Sequence, residues 1–175
     1  MQDRRSGENA MFNINKNRII AATLAVAVMT SGAPVYAATS TGSLVVTATV
    51  LASCTVVGST IAFGNYTSTQ VDQTGNIAVL CTNGTSYTIG LDAGAGTGAT
   101  TSVRKMTGSL GGTLNYALYR DSGRTNNWGS TIGTDTQAGT GTGLLQNLTV
   151  YGRIASAQTP LAGVYTDTVT VTLTY

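Results

Sequence analysis

Acid–base or nucleophilic chemistry at neutral pH needs a titrating group poised beside its partner. This sequence has no histidine, no glutamate after Glu8 and only two cysteines. What remains past the first forty residues are Asp72, Asp92, Asp121, Asp135 and Asp167, dispersed so that no general base or nucleophile can be nominated. Two of these carboxylates meeting in space would be the one route to hydrolysis. The run Gly94-Ala95-Gly96-Thr97-Gly98 has the look of a phosphate-cradling loop, but such loops present amides at a helix N-terminus and nothing helical follows. It reads as a plain loop. No aspartate-rich calcium loop occurs. Asn65, Asn83 and Asn147 each open an Asn-x-Thr triplet, which chance supplies in a chain this rich in threonine. Trp128 is the single tryptophan and reads more readily as a cap on the core than as a binding platform. The residues point away from an enzyme, and no metal or cofactor is expected.

The elements that would position side chains begin behind a leader. Lys16 and Arg18 precede the apolar run Ile19 to Met29, followed by Ser31-Gly32-Ala33-Pro34 and the small-residue site Val35-Tyr36-Ala37. That is the pattern of a secretory signal peptide, with Met11 as an alternative start to Met1. The run is well short of the roughly 20 residues a membrane-spanning helix needs, so no membrane insertion is expected. Cleavage after Ala37 leaves 138 of the 175 residues, the size of one domain. Beyond the leader, Arg104, Lys105, Arg120, Arg124 and Arg153 balance the five aspartates, so no basic patch suggests nucleic acid or anionic lipid. Behind an export signal, Cys54 and Cys81 read as one disulfide; a metal or redox pair is the alternative, but no second cysteine or histidine sits near either.

Thr, Gly, Val and Ala dominate, and apolar residues recur with period two, which predicts strands. They are expected at Leu44–Leu51, Cys54–Val57, Thr60–Phe63, Asn76–Thr82, Thr85–Leu91, Thr113–Arg120, Leu144–Ile154 and Val164–Tyr175. Asn83-Gly84 suits a two-residue type I′ hairpin. Leu91–Gly98, Asp121–Gly123 and Gly139–Gly143 read as loops. Many short strands, one disulfide and no helix signal predict a β-sandwich.

The two ends stand out. Leu44, Val46, Ala48 and Val50 share one face of an N-terminal strand, with Val45, Thr47, Thr49 and Leu51 on the other. Such a strand completes either its own sandwich or a neighbour's. At the other end Tyr165, Val169, Val171, Leu173 and Tyr175 share a face in a strand that runs to the last residue, an edge that requires a partner.

Several motifs follow in order: Phe63-Gly64-Asn65-Tyr66, Ile77 to Gly84, Tyr116 to Asp121, Arg124-Thr125, Trp128-Gly129, Val150 to Ile154 and Ala162 to Val169. Together they resemble the spore coat protein U domain family, across nearly the whole mature chain. That family includes pilins of archaic chaperone–usher systems. The resemblance implies an all-β, incomplete immunoglobulin-like sandwich, completed by a donor strand from a neighbouring subunit. Residues 1–37 would then be the removed leader, 38–53 the donor segment with Leu44, Val46, Ala48 and Val50 inward, and 54–175 the pilin domain. Val169, Val171, Leu173 and Tyr175 would form the strand that pairs with a periplasmic chaperone. The implied partners are identical or homologous subunits, that chaperone and an outer-membrane usher. The implied location is a fimbrium on the cell surface, serving adhesion and biofilm formation. Tip adhesins of such systems usually add an N-terminal binding domain, for which 138 residues leave no room. A spore-coat or matrix protein, and a secreted monomeric ligand-binding sandwich, are the alternatives.

Overall fold

The computed structural model describes residue 32 and residues 34–175. The basic and apolar parts of the expected signal peptide lie outside the described residues. Contacts divide the chain into a unit ending at Val46 and a second spanning Thr47–Tyr175. In the first, residues 34–46 are exposed and belong to no strand.

The second unit is all-β, with no helix among the described residues. Nine strands form: β1 (Cys54–Gly58), β2 (Val71–Cys81), β3 (Ser86–Leu91), β4 (Arg104–Gly108), β5 (Thr113–Tyr119), β6 (Gln137–Thr140), β7 (Gln146–Ile154), β8 (Tyr165–Thr166) and β9 (Val171–Thr174). One sheet has the order β1-β2-β7-β5-β4-β8 and the other β6-β3-β9, every pairing antiparallel. This is an immunoglobulin-like sandwich left incomplete. Alternate residues face inward, so β2 buries Ile77, Val79 and Cys81, and β5 buries Leu114, Tyr116 and Leu118. Ile89 and Leu91 of β3 close the core from the opposite sheet. Register gives the domain two ends: a root end, where Cys54 lies opposite Cys81 and Val79 opposite Gln146, and a far end, where Val71 lies opposite Ile154.

Several sequence expectations are corrected. Asn83-Gly84 does not join a hairpin, because β2 and β3 lie in different sheets. Of the pair only Gly84 has positive φ, at 80°, and the Thr85 amide donates to the Thr82 carbonyl, the type II pattern. Leu44–Leu51 and Thr60–Phe63 are not strands, for want of a backbone partner. The expected strand Val164–Tyr175 is broken into β8 and β9 by Asp167–Thr170, where the Thr168 and Thr170 amides donate to the side chains of Asp167 and Asp92 instead of to a ladder. β4 and β6 form where no strand was expected, and β2 begins five residues early.

Candidate functional site, an apolar cleft between two unpaired edges

The sandwich fails to close along one side. At Gly58 the edges of β1 and β9 converge, and a Cβ added there would stand 3.3 Å from Val171 Cγ2. Beyond that point the chain segments diverge and a cleft of about 1270 Å³ opens between them. Its floor is the core itself: Ile77, Met106, Leu114, Leu118, Val150 and Ile154.

One wall is Ser59–Ser68. Its Ile61 and Phe63 alternate inward as a strand's side chains would, and after the turn at Gly64 Tyr66 also packs inward, yet Thr60–Thr67 make no main-chain hydrogen bond. Side chains anchor this wall instead. A Cβ on Gly152 would lie 2.7 Å from Phe63 Cζ, and the place of a Cβ on Gly75 is taken by Ile61, so two glycines in β2 and β7 are the sockets for these residues. The Tyr66 hydroxyl donates to the Ala155 carbonyl at 2.8 Å and accepts from the Gln158 amide at 3.0 Å.

The other wall is Val164–Val171. It is tied on its outer side, where β8 pairs with β4 and the Thr170 amide donates to Asp92 Oδ1 at 2.9 Å. The Asp92 amide in turn donates to the Thr170 carbonyl at 3.1 Å. Asp167 completes the clip, accepting from the Tyr116 hydroxyl at 2.6 Å and the Ala95 amide at 2.8 Å. The glycine run thus does present amides to anions, but the anions are the chain's own carboxylates: the Gly94 amide donates to Asp92 at 2.9 Å. Burial works against the Asp92 charge, but hydrogen bonds from Thr170 and Gly94, with Arg104 nearby, hold its pKa below the usual carboxylate range. Burial, and then the Asp167 carboxylate, push the Tyr116 phenol far above its ordinary value, so it remains a donor.

Beneath this wall lies Arg104, fully buried with no carboxylate in contact. Its guanidinium donates to the carbonyls of Asp92 (2.8 Å), Thr101 (2.7 Å), Leu91 (3.1 Å) and Trp128 (2.7 Å). Four main-chain acceptors are thereby satisfied by one side chain at the junction of β3, β4 and the wall. Trp128 is itself core, 1 % exposed, with its indole N–H on the Ile89 carbonyl at 2.9 Å.

The predicted site residues distribute as follows. Cys54 and Cys81 are disulfide-bonded. Leu44, Val46, Ala48 and Val50 are exposed and in no strand. Val169, Val171 and Leu173 pack against the core, β9 pairs with β3 on one edge only, and Tyr175 is exposed. Sequence reasoning missed Ile61, Phe63 and Tyr66 as a wall and Asp92–Asp167 as a clip; glycines inside the β2 and β7 patterns were the available signal for the first. Among the described residues no group of His, Cys, Asp or Glu could hold a metal, and no helix is long and apolar enough to cross a membrane. The arrangement is an open cleft with an apolar floor, lying between two edges that have no backbone partner.

The chain is 34% identical over 173 residues to "Protein U" of Myxococcus xanthus, covering 89% of this chain and 96% of that one. In fold it is similar to a chain of the CsuC–CsuE chaperone–tip adhesion subunit pre-assembly complex from the archaic chaperone–usher Csu pili of Acinetobacter baumannii. That likeness has a TM-score of 0.57 at 22% identity, spanning 73% of this chain and 41% of that one. The profile of the Spore Coat Protein U domain matches residues 40–172, and the chain belongs to that family.

Proposed function

We propose that this chain is a structural pilus subunit, exported through the periplasm and polymerised by donor-strand exchange into a surface fimbrium for adhesion and biofilm formation. The supporting observation is the pairing of a lack with a surplus. The cleft lacks a strand between Thr60–Thr67 and Val164–Thr170, while Leu44–Leu51 is an unpaired segment whose large apolar side chains are all exposed. Strand addition would couple a main-chain ladder to alternate side chains filling the cleft. Leu44, Val46, Ala48 and Val50 of one subunit would face the floor of the next. Residues 38–53 act as the donor segment and 54–175 as the acceptor domain.

Until a neighbour arrives, the open cleft with its half-buried walls needs a holder, the role assigned to a periplasmic chaperone pairing along Val169, Val171, Leu173 and Tyr175. An outer-membrane usher would take over from it. The solved structure of similar fold comes from a chaperone–tip adhesion subunit complex of such a pilus, which supports this reading. The likeness to Protein U along almost the full chain supports a second, a coat or matrix protein assembled by the same contact.

The test is a denaturing gel, with and without boiling, of protein sheared from the cell surface, compared with Val46→Arg. Donor-strand joining predicts a regular ladder that collapses on boiling and is lost in the variant. A disulfide-bonded monomer in both forms would sink the proposal and favour a secreted ligand-binding sandwich.

A further inference from the structure

Two exposed apolar clusters sit at opposite ends of the Thr47–Tyr175 unit, one remote from the cleft and one at its rim, where Leu161 and Val164 line it. At the root end, Gly143 donates to the Cys81 carbonyl at 3.1 Å and sets the loop carrying Leu144 and Leu145 beside Thr82. The same Thr82 pins the base of the N-terminal arm: its amide donates to the Ser53 carbonyl at 2.9 Å and its hydroxyl reaches the Leu51 carbonyl at 3.4 Å. At the far end, the β4–β5 turn leans on the β7–β8 loop. The Ser109 amide donates to the Val164 carbonyl at 2.9 Å, and a Cβ on Gly112 would lie 4.0 Å from Leu161 Cδ1. This groups Leu110, Leu161 and Val164 at the open mouth of the cleft. The least exposed of the five apolar side chains, Leu161, is still 61 % exposed. No charged residue occurs in 82–91, 137–152, 106–119 or 154–166, so covering these surfaces strands no ion.

We infer that the Leu144–Leu145 loop of one subunit packs on the Leu110, Leu161 and Val164 cluster of the next copy of this chain, forming a contact separate from the donor strand. The inference rests on the donor-strand reading and extends it. Only Ala52 and Ser53 separate Leu51 from Cys54, a reach of about 10 Å from the end of the arm to the start of β1. Whichever subunit holds the arm must therefore stand against the root end. An arm lying in the cleft cannot leave over Gly58 and Val171, where the two edges meet, so it leaves by the open mouth. That places Leu144 and Leu145 over Leu110, Leu161 and Val164. The contact joins two different patches and repeats head to tail, as a filament requires.

The test uses the full chain carrying Leu145→Cys together with Leu161→Cys, assembled on cells, sheared and mildly oxidised. The expected result is a ladder that now survives boiling and collapses only with reductant. Leu144→Asp with Leu145→Asp supplies a second readout: the boiling-sensitive ladder stays, and filaments imaged by electron microscopy bend more sharply between subunits. If the ladder persists but neither the cross-link nor the altered bending appears, this contact is wrong and the donor strand stands. If the parent chain gives no ladder at all, both fall together.

Discussion

The two ends of the sandwich are made from the same kinds of residue and finish differently. Towards the root end, Val79, Cys81 and Ile89 are at most 1 % exposed, because β2 and β3 each have a backbone partner on both edges. In the far half the wall residues Ile61, Phe63, Tyr66, Tyr165 and Val169 are only half-buried, although Ile154 beneath them is 1 % exposed. Apolar pattern brings a side chain to a sheet, but pairing of the main chain is what seals it. Folding has closed one half and left the other one strand short.

The contrast predicts a gradient of mutational cost. Trp128→Ala, in the closed half, removes a fully buried indole and orphans the Ile89 carbonyl, so chemical denaturation should show a loss of about 3–5 kcal/mol. The double change Cys54→Ser, Cys81→Ser comes next. The bridge spans 27 residues, which on the chain-entropy account contributes about 3.5 kcal/mol, read as a lower denaturation midpoint. Phe63→Ala should cost the isolated subunit less, about 1–2 kcal/mol, since its ring is already partly in water. A Phe63 cost equal to that of Trp128 would erase the distinction between the halves.

Much of this was legible in the sequence, and where it was not, the reason is physical. Period two put Tyr165, Val169, Val171 and Leu173 on the inward face, where they lie, and Tyr175 with them, which is exposed; neither Thr60–Phe63 nor Val164–Tyr175 is a continuous strand. A strand is defined by a backbone partner, and a single chain's sequence does not say whether its partner is in the same molecule. β4 was missed because the charged pair Arg104-Lys105 interrupts the period-two apolar pattern; only the four carbonyls that converge on the Arg104 guanidinium make burial tolerable there. Asn83-Gly84 was rightly a turn but wrongly a hairpin, since local chemistry fixes the turn and not the sheet that receives the next strand. The cysteine pair was readable because two cysteines allow one internal bridge.

The open half should also respond to what fills it. A synthetic peptide of residues 42–51, added to the mature chain, should raise the melting temperature in proportion to its occupancy, a gain of about 2.7 kcal/mol at a hundredfold excess over Kd. The same peptide with Arg at position 46 should do nothing, and the Trp128→Ala loss should be unaffected by either. An equal rise with both peptides would show that the cleft does not read alternate side chains.

The smallest effect separates the halves by pH. Asp92 is ionised more readily in the folded chain than free, because Thr170 and Gly94 donate to it against the opposing cost of burial. A carboxylate whose folded pKa is depressed contributes stability at all pH values above its unfolded pKa, and that contribution disappears as pH falls through the folded value. The loss therefore belongs below about pH 4. What loosens first should be the wall at Asp167–Thr170, because Asp92 holds it through both the amide and the carbonyl of Thr170. Amide exchange at Thr170 should rise under acid while that of Val79 and Ile89 stays slow. Asp92→Asn keeps the shape, removes the charge, and should make exchange at Thr170 fast and nearly independent of pH from 5 to 3 once the intrinsic rate is divided out. A wild-type wall that keeps its protection through that range would mean that the Tyr116–Asp167 bond, not Asp92, sets the width of the cleft.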